Sequence, residues 1–245
     1  MIDPAHRQPG HRIRMEWGPA GAAAVAEAGL AVVVDVLSFT TTLSVAVERG
    51  MTVYPYRWKD ERAAAYAAER DAVLAVGRSR RDGLSLSPVS VRAAVGVDRL
   101  VLPSPNGSSI AFGLADAGVR VIGASLRNRA AVARWLAERG GPVAVVAAGE
   151  RWPDGSLRPA VEDLWGAGAV MAGLVDLGVT GLSPEARVAE QAFRSVEADL
   201  DGQLHACASG RELADLGFVS DVEVAAELDA CAVVPVLTGE AFVGA

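Results

Sequence analysis

The chain has 245 residues, 51% apolar and 22% charged, a balance that builds one sizeable core, in one large domain or two intimately joined small ones. Its 30 acidic against 23 basic residues leave a formal charge of −7, which argues against a sequence-independent nucleic-acid binder but not against a local pocket for a small anion. No apolar span is long enough for a membrane helix, and the first residues lack the basic-then-apolar order of a secretory signal, so a cytoplasmic protein is expected.

Residues 1–14 are polar and expected to be mobile, 16–21 carry turn chemistry, and a short Ala-rich helix follows to Ala28. The run Ala31-Val-Val-Val-Asp35 then reads as a strand buried on both faces, with one carboxylate near its end. Ser38, Thr40, Thr41 and Thr42 supply hydroxyls before a helix that Gly50 stops. Ligands of parallel sheets sit at such strand ends, so an acid beside a hydroxyl-rich helix start suggests a cation and an anion held together. The local alternative is that Asp35 or Ser38 caps the helix.

Strands are expected at 51–56, 72–77, 99–103, 119–123, 143–148 and 231–237, alternating with helices at 59–72, 110–117, 126–139 and from Glu162 to Leu177. The basic loop 78–83 is either solvated or an anion clamp, and Pro88 opens a short helix. Ser183-Pro184-Glu185 starts a further helix, and Ser209 with Glu212, like Ser220 with Glu223, has capping-box spacing. Aligning Gly50 with Gly118 sets Thr40-Thr41 against Ser108-Ser109 and Ser38 against Asn106, an echo that offers two helix starts to one anion. The alternation means an α/β fold, layered α/β/α with a mainly parallel sheet of βα units, as one domain over 1–245 with room for a two-lobed arrangement.

Cys207 and Cys231 lie in apolar surroundings without metal-site spacing and read as buried free thiols. The three histidines, His6, His11 and His205, form no constellation, so histidine chemistry is not expected. No G-x-G-x-x-G follows the first strand, which argues against a dinucleotide-binding domain.

Asp35-Val-Leu-Ser-Phe-Thr-Thr-Thr42, Asn106-Gly107-Ser108, Asn128, Ala148-Gly149, Glu162-Asp163-Leu164 with Ala167-Gly168, and Ser209-Gly-Arg-Glu-Leu213 with Gly217-Phe218 and Asp221 occur in this order. Together they resemble the 2-phosphosulfolactate phosphatase family, over most of the chain from about Val32 to Pro235. The resemblance implies an α/β fold, magnesium-dependent conversion of phosphosulfolactate to sulfolactate and phosphate, a place in coenzyme M biosynthesis and a homodimer. Neither nucleic acid nor membrane is expected as a partner.

On that resemblance Asp35, Glu162 and Asp163 are expected to hold Mg2+ and act in catalysis, magnesium taking oxygen ligands from one or two carboxylates, water and phosphate. N–H groups and hydroxyls at Ser38, Thr40, Thr41, Gly107, Ser108, Ser109 and Gly149 would hold the anionic ester, with Asn106 and Asn128 orienting it and water attacking directly. For Glu162 and Asp163 the alternative is helix N-terminal charge, and for Asn106-Gly107 a plain turn. Three departures stand out: family members usually carry Arg where Ser38 stands, Gly-Glu at Gly77-Arg78, and Arg where Ser109 stands. Arg78, Arg80 and Arg81 could supply the cation from another direction. The competing readings are a non-catalytic anion-binding descendant of the fold and a phosphatase for a different phospho-acid.

Overall fold

The computed structural model describes residues 2–57, 62–78 and 83–245, and nine of its strands form one sheet with helices on both faces. The strands are β1 (Ile13–Trp17), β2 (Leu30–Val34), β3 (Thr52–Tyr56), β4 (Val73–Leu74), β5 (Arg99–Pro103), β6 (Arg120–Ala124), β7 (Val143–Ala147), the small hairpin β8 (Glu150–Arg151) and β9 (Leu157–Arg158), then β10 (Pro235–Thr238) and β11 (Ala241–Gly244). The α-helices are α1 (Gly18–Val25), α2 (Phe39–Glu48), α3 (Arg62–Ala68), α4 (Pro88–Arg92), α5 (Gly107–Asp116), α6 (Arg129–Arg139), α7 (Val161–Asp176), α8 (Pro184–Val196), α9 (Leu200–Ala206), α10 (Ala208–Asp215) and α11 (Val219–Ala226).

The sheet order is β1-β7-β2-β6-β10-β11-β3-β5-β4. β1, β7, β2 and β6 are mutually parallel, as are β3, β5 and β4. The antiparallel hairpin of β10 and β11 joins the two blocks, with Val236 opposite Ile122 and Phe242 opposite Val53, so the blocks run in opposite directions. Five strand steps separate β2 from β5. Twist of roughly 20–25° per step turns the strand axis by on the order of 110°, which lets both carboxyl ends address one site.

Alternation along β2 feeds two cores. Val32 and Val34 pack among Met171 and Phe193 on the α7/α8 side, while Ala31 and Val33 face Leu43 and Ile110 on the α2/α5 side. Burying one such side chain is worth roughly 1.5–3 kcal/mol, so a carboxylate is admitted only where the strand has ended, at Asp35. α7 is rich in Gly and Ala because it lies close against α8: a Cβ on Gly168 would collide with the Ala189 carbonyl.

Several expectations are corrected. Residues 13–17 form an edge strand rather than a polar terminus and a turn, because Ile13 and Met15 point into the core and pair in register with β7. The strand expected at 72–77 is two residues long, and the last strand begins at Pro235 and turns back as β11, an element that the sequence reading lacks. Ser183 caps α8 through the Ala186 N–H, but Cys207 and Phe218 occupy the N-cap positions of α10 and α11, so Ser209 and Ser220 lie inside the helices. Lys59, Arg80 and Arg81 lie outside the described residues. Among the described residues no helix is long and apolar enough to cross a membrane.

Candidate active site

The carboxylate of Asp35 lies between two helix starts. Its Oδ1 accepts from the Phe39 N–H at the start of α2 (3.1 Å) and its Oδ2 from the Gly107 N–H at the start of α5 (2.9 Å), with Ser104 Oγ at 3.5 Å. The two helix starts in the sequence echo do share an anion, and it is the protein's own. Gly107 is required there, because a Cβ would strike the Phe39 ring and stand 2.8 Å from Asp35 Oδ2. Burial pushes the Asp35 carboxyl above the usual range, the two N–H donors oppose this, and the charge of Glu162 adds to it.

Asp163, in the first turn of α7, makes a second clasp. Its Oδ1 accepts from Val36 N–H (2.7 Å) and its Oδ2 from Gly149 N–H (2.8 Å), tying the exits of β2 and β7 together. Burial first, then Asp35 and Glu162, raise this carboxyl well above its ordinary value. Glu162 is 2% exposed, and its charge acts on the Cys207 thiol. Burial, then Glu162, push that thiol up to about 12, so it stays protonated and is no nucleophile.

The rim of the site is built differently. Glu150, half-buried at the start of β8, accepts from Asn106 Nδ2 (3.0 Å), while Arg151 Nε donates to Asn106 Oδ1 (3.3 Å). Burial first, then the charge of Asp35, push the Glu150 carboxyl up to about 7. Arg158 on β9 acts on Glu150 in the opposite sense and donates to Ser209 Oγ of α10 (3.2 Å). The hairpin of β8 and β9 lies between the expected strand 143–148 and the expected helix from Glu162, and none of Glu150, Arg151 and Arg158 is among the expected site residues. Glu150 had a signal, since it directly follows the Ala148-Gly149 strand exit; the arginines had none.

Of the expected site residues, Asp35, Asn106, Gly107, Gly149, Glu162 and Asp163 meet here. The Thr40 hydroxyl donates to Asp35 O (2.8 Å) and accepts from Asp35 N–H (2.9 Å), and Thr41 donates to Val36 O (2.7 Å), so both lock the β2–α2 turn. Ser108 donates to Leu102 O, and Ser109 is half-buried at the α5 start. Asn128 is 0% exposed and spends its amide on Ser125 N–H (2.8 Å) and the Val233 carbonyl (3.1 Å), bracing the chain before β10. At Ser38, which follows a cis peptide bond, the hydroxyl accepts from Arg78 Nη2 (2.5 Å). Arg78 also donates to Leu86 O and pairs with buried Asp221, so a guanidinium reaches the position of Ser38 from the loop after β4.

Among the described residues no three His, Cys, Asp or Glu side chains converge closely enough to cage a metal ion. The donor set still suits magnesium, because Asp35, Glu162 and Asp163 are hard oxygen groups and the charge of Glu162 raises the carboxyls of both aspartates. Such an ion needs only one or two of them, the other positions going to water and phosphate.

The sequence model of the 2-phosphosulpholactate phosphatase family matches residues 20–240. A Deinococcus radiodurans protein named a probable 2-phosphosulfolactate phosphatase is 34% identical over 217 residues, covering 85% of this chain and 87% of its own. Proteins of the same name from Parasynechococcus marenigrum and Thermus thermophilus are 35% and 31% identical, over 89% and 84% of this chain and 92% and 87% of theirs. Asp35, Asn106, Gly107, Gly149, Glu162 and Asp163 thus come from separate matched segments to one cluster of acids, and the chain belongs to the 2-phosphosulfolactate phosphatase family of phosphoric monoester hydrolases.

Proposed function

We propose that the protein hydrolyses 2-phosphosulfolactate to sulfolactate and inorganic phosphate with magnesium as cofactor, acting in the cytoplasm as a homodimer. The observation that carries the reading is the meeting of Asp35, Gly107, Gly149, Glu162 and Asp163 in one cluster of acids, with Arg151 bonded to Asn106 and Arg158 acting on Glu150 beside it. A substrate with phosphate, carboxylate and sulfonate groups is strongly anionic, and Arg151 and Arg158 on the β8–β9 hairpin offer cations at the entrance. Glu162 and Asp35 would hold the magnesium ion, which neutralises charge on the transferring phosphoryl group. Asp35 also keeps α2 and α5 in register, so the N-terminal halves of both helices aim their dipoles at the cleft. With Cys207 protonated and no histidine in the cleft, water is the attacking group.

The test is phosphate release from phosphosulfolactate and a panel of phospho-acids, with magnesium and with chelator, for the wild-type protein and Glu162→Gln. Magnesium-dependent release, preferring the sulfonated ester and lost in the variant, is expected. Preference for a sulfonate-free ester would assign a different phospho-acid. No release from any ester by folded protein would leave an anion-binding protein. Sedimentation of the same sample measures the dimer.

A further inference from the structure

Hydrolysis of an alkyl phosphate makes a demand that the floor of this cleft does not meet: the departing alkoxide needs a proton. Asp35 and Asp163 each hold a backbone N–H on both oxygens, and Glu162 is only 2% exposed. Glu150 stands apart. One of its oxygens takes the Asn106 amide, and the other has no hydrogen-bond partner among the described residues. With Asn106, Arg151 and Leu157 it lines a cavity of about 210 Å³ beside the cleft. The Arg151 bond to Asn106 Oδ1 turns the amide so that its NH2 faces Glu150.

The structure assigns Glu150 as the proton donor to the leaving oxygen, with Asn106 as its positioning residue. This rests on the phosphoester reading above. In the step, the water oxygen forms a bond to phosphorus as the ester P–O bond breaks. The electron pair of that bond goes to the ester oxygen, which takes the Glu150 proton and leaves as an alcohol. One water proton stays on the phosphate and the other returns to the Glu150 carboxylate. The charged groups facing Glu150 are Asp35 at the end of β2, Glu162 on α7 and Arg158 on β9. In the metal-free chain burial and these charges push the Glu150 carboxyl up to about 7.

A proton donor matters for a poor leaving group and little for a good one, so kcat/KM is measured on an alkyl phospho-acid and on p-nitrophenyl phosphate. Glu150→Gln keeps an acceptor for Asn106; it is expected to lower the alkyl rate about a hundredfold and the aryl rate less than about threefold, with the alkaline limb of the alkyl pH profile gone. Because the Asn106 amide holds the Glu150 carboxyl down, Asn106→Ala is expected to shift that limb to higher pH. Equal losses on both esters in folded protein, or an unmoved limb, would overturn the assignment of Glu150. No release from either ester by the wild-type protein would overturn the phosphatase reading along with it.

Discussion

The acids of the floor and the acid of the rim are the same chemical group put to opposite uses. Asp35 and Asp163 each close two backbone N–H bonds between segments far apart in sequence, and so act as clasps between strand exits and helix starts. Glu150 accepts from a side-chain amide, and its other oxygen has no hydrogen-bond partner among the described residues. A carboxylate with both oxygens on the backbone fixes architecture. One held by a single amide can exchange a proton.

Breaking a clasp should have the largest effect on stability. Asp163→Ala leaves the Val36 and Gly149 N–H groups buried without acceptors, and a loss of about 3 kcal/mol is expected after the relief of one buried charge is counted. Urea unfolding measures it, and an unchanged midpoint would show that water replaces the clasp. Gly107→Ala attacks the other clasp sterically, against Phe39 and Asp35, and about 2 kcal/mol should appear as a lowered Tm.

The rim is sharpened by pH. The Glu150 carboxyl is raised from 4.5 to about 7 in the folded chain, so the folded state binds the proton more tightly than the unfolded one. Its stabilising contribution is complete below about 4.5 and is lost as pH rises through about 7. In chelator, Glu150→Gln should therefore match the wild type in acid and exceed its stability by about 1–2 kcal/mol near pH 8, allowing for partial exposure. Urea unfolding at both ends of that range gives the sign, and a variant less stable at alkaline pH would contradict it. The smallest effect is expected from Thr41→Val, which removes the hydroxyl bond to Val36 O at nearly constant shape, for about 1 kcal/mol by the same unfolding measurement.

Apolar runs and helix signals carried much of the architecture. β2 and β7 read as buried strands because every residue in them is apolar, and α8 announced itself through Ser183 and Pro184. β1 escaped because Arg14 and Glu16 alternate with its two core residues and hide them among polar neighbours. β11 escaped because it is a four-residue strand whose local signal is the Gly239 turn after β10, while its other partner, β3, is distant in sequence. At the site, Asp35, Glu162 and Asp163 were legible as acids interrupting apolar segments at element ends. Their hydrogen-bond partners were not, since Gly107 lies 72 residues from Asp35 and Val36 lies 127 from Asp163.

Local patterning thus established an α/β chain, the strand ending at Asp35, and the family to which the motifs point. Periodicity and element-end chemistry act over a few residues, and a single chain displays them directly. The opposed directions of the two parallel blocks, the use of Asp35 as the anion between two helix starts, the placing of Arg78 on Ser38 and the Asn106 amide on Glu150 came only from the folded chain. Each depends on which distant backbone N–H, hydroxyl or charge comes within about 3 Å, and hydrogen bonding and burial at that range follow from packing rather than from sequence spacing.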